Sequence, residues 1–356
     1  MEAMEIRCRK CSLPVKTTHT AKKLRCPRCH AEIPLHLNQN GIQENNTHSG
    51  RQRENQDQPN RSSGHESSTN RLSVAASLSY PATRKRALIC GVTYTNQKYE
   101  LKGTINDAHL MKDLLQKIYG FPEQTIRFLT EHAGTLPPTR KHMEEGMRWL
   151  VEGCQHGDSL VFYFAGHGLR RRDYDYDELD GYDETICPLD FATNGMILDN
   201  DINAMIVRPL VKGVKLHAII DSCHSGTVLD LQHVYDDKLH KWKNNSPPNG
   251  ANKSTKGGQA ICLSACQDDQ FALGCTAFTK SVIIGAMTYC FQHAVQKNPG
   301  LSYLDLLDSM EETMSKAYES RCISAKFFNR LLHRQINQET RLSSSQVFDI
   351  NDRFML

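Results

Sequence analysis

The chain lacks any run of about 20 apolar residues, the length a membrane-spanning helix requires; its longest apolar candidate extends only from Ser281 to Phe291. A membrane partner is therefore not expected. An apolar stretch is also missing from the first 30 residues, which instead hold charges and four cysteines. Export is not expected on that pattern, and the chain is assigned to the cytoplasm, with the nucleus also open. The thirteen cysteines are not an even set. Without an export signal they argue for reduced thiols in metal binding or catalysis rather than a disulfide framework. Between Asn38 and Thr83 only four residues are Val, Ile or Leu, and nearly half of the positions from Asn38 to Asn60 are Asn or Gln. Such a stretch cannot bury enough apolar surface to offset its ordering entropy, so residues 38–84 are expected to be a disordered linker, a plain tether being its simplest role.

What is present is unevenly distributed. The formal net charge of the 356 residues is +3. Met1 to Arg86 carry 15 Lys and Arg against 7 Asp and Glu, and Ala87 onward carries 28 against 33. A basic front thus precedes an acidic body. In the body, short apolar runs recur at Ala87–Val92, Ile126–Leu129, Ser159–Ala165, Lys215–Ile220 and Gln259–Leu263. Each reads as a strand buried on both faces. Helical patterns lie between and after them, over Ile105–Tyr119, Thr139–Val151, Asp201–Val211, Ser281–Lys297 and Ser302–Glu319. Strands alternating with helices predict an α/β fold with a mostly parallel sheet covered on both sides. Ligands of such sheets bind beyond the C-terminal strand ends.

Two of those ends carry reactive side chains. Ser159–Ala165 is followed by Gly166-His167-Gly168, and Lys215–Ile220 by Asp221-Ser222-Cys223-His224-Ser225-Gly226. A thiolate is the reactive form of Cys, and a nearby imidazole lowers its pKa and later protonates a leaving amine. His167 and Cys223 are thus a candidate base and nucleophile. The backbone N–H groups of Gly168 and Cys223 are candidates for an oxyanion hole. A buried His and a buried Cys of the core are the alternative on this pattern alone.

The AGHG motif, the 56-residue step from His167 to Cys223, the DSCHSG motif and the GYDETICPLD segment together resemble the metacaspases, relatives of the caspases. With the N-terminal cysteines, the chain is similar to the plant type I members. The resemblance covers Lys85 to Leu356 plus those cysteines. It implies a caspase-like three-layer αβα sandwich and cysteine endopeptidase activity, with cleavage after Arg or Lys. Asp221, two residues before the nucleophile, is suited to bind a guanidinium bidentately, and Asp107 matches the second acid of the family's substrate pocket. On position alone, Asp107 also fits an acid favoured near a helix N-terminus. The family usually has Ser at Ala165 and Cys at Thr104, so these substrate-pocket positions are expected to alter preference or weaken turnover without abolishing the chemistry.

Between Arg170 and Asp190 lie eight acids, among them Asp173, Asp175, Asp177, Asp180 and Asp183. Oxygen ligands concentrated in a loop suit calcium, although an acidic loop is more often merely solvated. The resemblance implies calcium, with ligands at Asp183, Asp199, Asn200 and Asp230. Asn200 replaces a usual Asp and predicts weaker affinity. The front carries Cys8-Arg-Lys-Cys11 and, fourteen residues on, Cys26-Pro-Arg-Cys29. Four thiolates at this spacing suit structural zinc, a redox dithiol being the alternative. Residues 1–37 resemble the lesion-simulating-disease type of zinc ribbon, a module for protein partners. Little aromatic character accompanies the basic charge, so nucleic acid is not expected as a partner.

The body divides into a large catalytic segment, 85–238, a Lys-rich polar stretch, 239–258, and a small segment, 259–356. Residues 239–258 read as a candidate self-cleavage loop, or a simple surface loop. The implied protein is a calcium-dependent zymogen cutting peptides and proteins after Arg or Lys, with a role in programmed cell death or stress responses. A non-proteolytic or weakly active scaffold acting through the ribbon is the competing reading.

Overall fold

The computed structural model describes residues 84–264, 284–319 and 340–356, together with short strands at 4–7, 14–17, 24–25, 32–33 and 274–275. The chain forms two units, Met1–Ala75 and Ala76–Leu356. In the first, β1 (Met4–Arg7) pairs antiparallel with β2 (Pro14–Thr17), and β3 (Leu24–Arg25) with β4 (Glu32–Ile33). In sequence, Cys8 and Cys11 fall between β1 and β2, and Cys26 and Cys29 between β3 and β4. The four cysteines themselves lie outside the described residues, as does the 38–84 linker apart from Arg84.

The second unit begins with β5 (Lys85–Gly91), α1 (Thr104–Lys117), β6 (Ile126–Thr130), α2 (Arg140–Val151) and β7 (Ser159–Ala165). A small antiparallel sheet follows, from β8 (Gly168–Arg172), β9 (Tyr182–Ile186) and β10 (Ile197–Leu198), with α3 (Phe191–Asn194) between the last two. Next come α4 (Asp199–Ile202), β11 (Lys215–Asp221), β12 (His233–Asp236), β13 (Lys241–Asn244), β14 (Gln259–Ser264), β15 (Gly274–Cys275) and β16 (Ile284–Gly285). The chain closes with α5 (Ala286–Lys297), α6 (Tyr303–Glu319) and β17 (Arg341–Ser344).

The main sheet runs β13-β12-β17-β14-β11-β7-β5-β6. Its β6-β5-β7-β11-β14 portion is parallel, and β17, β12 and β13 add antiparallel pairings at one edge. The apolar runs explain the parallel part, because alternate residues enter different cores. Ala87, Ile89, Val161 and Tyr163 pack with Met111, Leu115, Phe291 and Leu306 of α1, α5 and α6. Leu88, Cys90, Phe162 and Phe164 pack with Met143 and Met147 of α2 and with Ile206. Strands filled on both faces need helices on both sides, which gives the three-layer αβα arrangement.

Two expectations differ in detail. The helix expected over Asp201–Val211 is shorter: α4 runs into a wider π turn at Asn203–Val207, where Arg208 N donates to Asn203 O at 3.0 Å. Widened turns of this kind release side chains for other contacts. Here Asn203 Nδ2 donates to Leu229 O at 2.9 Å, and to Asp230 O and Lys253 O. The segment 239–258 is also less free than a polar loop suggests, since it contains the edge strand β13 and a buried Lys253.

Candidate active site

The register of the parallel sheet brings the two reactive strand ends together. Ala165 of β7 pairs with Asp221 of β11, so His167 and Cys223 each follow two residues beyond one shared rung. The close approach continues past the strands: a Cβ added to Gly168 would lie 1.9 Å from the Cys223 carbonyl oxygen. Only glycine permits this juxtaposition of the two turns. His224, next after Cys223, takes φ 48°, a left-handed conformation costly for a residue with a Cβ and common where a site fixes its backbone. Cys223 is 8% exposed.

The imidazole of His167 is held by the loop that follows β5. Its Nε2 lies 2.7 Å from the Tyr99 carbonyl oxygen. A carbonyl only accepts, so Nε2 carries the proton of the neutral ring and Nδ1 keeps the lone pair. The Tyr94 ring packs against the imidazole at 4.8 Å between centroids. The Tyr94 hydroxyl accepts from His167 N at 3.0 Å and donates to Cys187 O at 2.6 Å. Sequence reasoning missed Tyr94 and Tyr99, because neither lies in a motif and the loop after β5 has no chemical signature.

Asp107 and Asp221 meet beside this edge. Asp107 Oδ1 accepts from Gly285 N at 2.9 Å, and Asp221 Oδ2 accepts from Thr288 N at 3.0 Å and Thr288 Oγ1 at 2.6 Å. A Cβ on Gly285 would lie 2.3 Å from Asp221 Oδ2 and 3.0 Å from Asp107 Oδ2, so the two carboxylates flank one glycine at the start of α5. Burial, then the Asp221 charge, pushes the Asp107 carboxyl up to about 8 against the opposing Gly285 hydrogen bond. Burial also raises Asp221, against the two Thr288 bonds. Among the described residues neither carboxylate has a cationic partner. Asp107 sits in the first turn of α1, yet its carboxylate is taken by Gly285 just before α5, which separates it from an ordinary helix-start acid. Thr104 turns its hydroxyl to Thr93 at 2.8 Å, and Ala165 is buried in the core. Thr288 and Gly285 were missed, since a backbone donor carries no sequence signal and the Thr288 hydroxyl lies in no motif.

A second acidic locus is built on the β8–β9 loop, which contributes Asp173, Asp177 and Glu178. Carboxylate oxygens of Asp173, Asp177 and Asp183 lie within 4.8 Å of one another, as do those of Glu178, Asp199 and Asp230. Lys253 reaches both groups: its Nζ contacts Asp177 at 2.7 Å, Asp230 at 2.5 Å, and the Asn200 amide oxygen. Asp199 accepts from Glu184 N at 2.6 Å and Asn200 N at 2.7 Å, and Asp183 pairs with Arg171 at 2.6 Å. Burial raises Asp183 to about 6, the Arg171 contact opposing it. Asp183, Asp199, Asn200 and Asp230 are therefore gathered around one neighbourhood, with Asp177 and Glu178 beside them. The buried Lys253 was not anticipated; its surroundings of Lys, Ser and Thr look like loop.

The chain from 85 to 232 matches the family described as "Metacaspase, peptidase C14 domain". It is 44% identical to Metacaspase-1 of Arabidopsis thaliana over 289 residues, covering 77% of this chain and 78% of the relative. It is 46% identical to Metacaspase-2 of the same plant over 241 residues, covering 66% of this chain and 58% of the relative. Among solved structures, the crystal structure of Caspase-1 from Spodoptera frugiperda aligns with a TM-score of 0.40 and 12% identity, over 73% of this chain and 86% of the other. Identity of 44% over more than three quarters of both chains decides the question of kinship. The chain belongs, with its plant type I relatives, to the metacaspase family of caspase-like cysteine peptidases.

Proposed function

We propose that this peptidase cuts peptide and protein chains after Arg or Lys, depends on calcium, and is made as a zymogen that cleaves itself within 239–258. The observation that carries the substrate class is the buried Asp107–Asp221 pair, two acids beside the Cys223 strand end without a resident cation among the described residues. A guanidinium matches two carboxylates through several donors at once, and an ammonium meets them as a point charge.

In this reading His167 Nδ1 takes the thiol proton of Cys223, and Sγ attacks the scissile carbonyl carbon. The carbonyl becomes an oxyanion that the N–H groups of Gly168 and Cys223 stabilise. The C–N bond then breaks as the imidazolium returns its proton to the leaving amine. Water, deprotonated by the same imidazole, releases the acyl group from sulfur and restores the thiol.

The acidic locus fits a divalent cation of the calcium type. Its donors are hard oxygens, and Asp177 Oδ1, Glu178 Oε1 and Asp183 Oδ1 are buried without hydrogen-bond partners. The Lys253 ammonium is a stand-in positive charge among them. Asp183, Asp199, Asn200 and Asp230 would hold calcium, which supplies charge neutralisation to the loop that leads from β8. Asn200 offers oxygen without charge, consistent with weaker affinity. The two N-terminal hairpins support the zinc reading, because each CxxC pair lies in sequence between paired strands. Protein partners for the ribbon, a cytoplasmic or nuclear setting and a role in cell death or stress belong to the same proposal.

The test is hydrolysis of a peptide amide after Arg, with calcium and with chelator, beside Cys223→Ala. Wild type in calcium is expected to exceed the variant by about 10³-fold or more. Equal inertness of both at every calcium concentration would establish the scaffold reading instead.

A further inference from the structure

Glu131, the residue after β6, carries out a task that no motif suggests. Its carboxylate accepts three consecutive backbone N–H groups, those of Thr93, Tyr94 at 2.8 Å and Thr95 at 2.8 Å. Those amides begin the loop between β5 and α1. Without the carboxylate they would point away from any strand partner; Tyr94 among them is buried, and a buried amide left unpaired is costly. The arrangement also supports unusual backbone, since Tyr94 has φ 56° and Asn96 φ 64°. A side-chain anion over consecutive amides is an effective way to fix such a turn.

The loop so fixed is the one that holds His167. It supplies the Tyr99 carbonyl to Nε2, and the Tyr94 ring and hydroxyl to the imidazole face and the His167 amide. The loop closes on itself through Leu101 N to Thr93 O at 2.8 Å, so the amides bound by Glu131 and the carbonyl bound by His167 belong to one hydrogen-bonded turn. We propose that Glu131 is a positioning residue for the catalytic imidazole: it sets the Tyr94–Tyr99 loop and through it the tautomer and direction of His167. The proposal rests on the Cys223–His167 dyad, not on calcium or on preference for Arg.

Two variants test it, Glu131→Gln, which removes the charge and one acceptor, and Glu131→Asp, which keeps the charge on a shorter arm. The first readout is the pH profile of Cys223 alkylation by iodoacetamide, which needs no knowledge of substrate. The second is hydrolysis after Arg. In Glu131→Gln, kcat is expected to fall about 10- to 100-fold with KM changed less than about threefold, because misplacement rather than binding is altered. The alkylation profile should shift towards that of His167→Ala, with Glu131→Asp intermediate. A folded Glu131→Gln with wild-type kcat and alkylation profile would overturn the proposal, as would a rise in KM at constant kcat. Should Glu131→Gln fail to fold, Glu131→Asp decides by the same readouts. Failure of the dyad itself is recognised separately, by wild-type activity in Cys223→Ala and His167→Ala.

Discussion

On the proposed reading Asp107 and Asp221 receive a guanidinium, and their ionisation is then linked to its binding. Two buried acids flanking one glycine cannot both ionise cheaply, so the pair retains a proton up to about 8. A guanidinium between them favours both carboxylates charged and expels that proton. The folded pKa is raised, so binding of a basic side chain costs proton release below about 8 and none above it. The inhibition constant of agmatine, a guanidinium amine, is therefore expected to improve as pH rises from 6 towards 8, approaching about tenfold per unit at the acid end. In Asp107→Asn the curve should flatten and affinity should fall at every pH. A wild-type constant that is independent of pH would show that the pair is not the guanidinium site. Asp221 was legible in the sequence because it stands two residues from the thiol, and Asp107 only through resemblance. Their shared dependence on Gly285 and Thr288 was not legible, since it arises where α5 meets the sheet rather than from any local pattern.

At the scale of elements, the sequence foretold the strands that bury both faces and the helices with one apolar face, and missed the short polar edge strands. Runs such as Ser159–Ala165 and Lys215–Ile220 match β7 and β11 nearly to the residue, because an uninterrupted apolar run has few other solutions. β12, with His and Asp among its four residues, and β13, with two Lys among its four, carry no such run and are held at the sheet edge by their neighbours. The same limit hid the conformation of 245–258. That stretch is moored at two points on the acidic locus, by Asn249 Nδ2 to Asp175 O at 2.9 Å and by Lys253 Nζ to Asp177 and Asp230. A buried ammonium balances carboxylates that would otherwise repel one another, and deleting one partner of a buried pair typically costs about 3–5 kcal/mol. Lys253→Met should therefore lower stability by about that amount in chelator, and calcium should restore most of it. Because the cation no longer competes with a tethered amine, calcium affinity by calorimetry should rise, by about tenfold if the exchange costs ~1.4 kcal/mol. An equal calcium-induced thermal shift in wild type and Lys253→Met would refute competition at this site. Limited trypsin digestion adds a structural readout: cleavage after Lys253 is expected to quicken when calcium displaces the side chain.

For the whole molecule, a net charge of +3 conceals a basic front and an acidic body, for which two different metals are proposed. The described residues of the catalytic unit form two cores, one on each face of a continuous sheet. Among the described residues the cysteines at 90, 154, 187, 223, 262 and 290 form no disulfide, and burial raises Cys90, Cys187, Cys262 and Cys290, so these four resist becoming thiolate ligands. Soft-metal binding should thus concentrate in the first unit, where two hairpins bracket the CxxC pairs, while the hard-oxygen locus of the second unit should prefer calcium. The full-length chain is expected to purify with about one zinc per molecule, and Cys26→Ser with Cys29→Ser to lose it, since two remaining thiolates cannot close a tetrahedral shell. Because the sheet and both cores lie in the other unit, this double variant should keep calcium binding and the alkylation rate of Cys223 within about twofold of wild type, a margin within ordinary surface-mutation effects. Zinc content unchanged in the double variant would refute the ribbon. Zinc lost together with Cys223 reactivity would show instead that the catalytic unit depends on the metal in front of it.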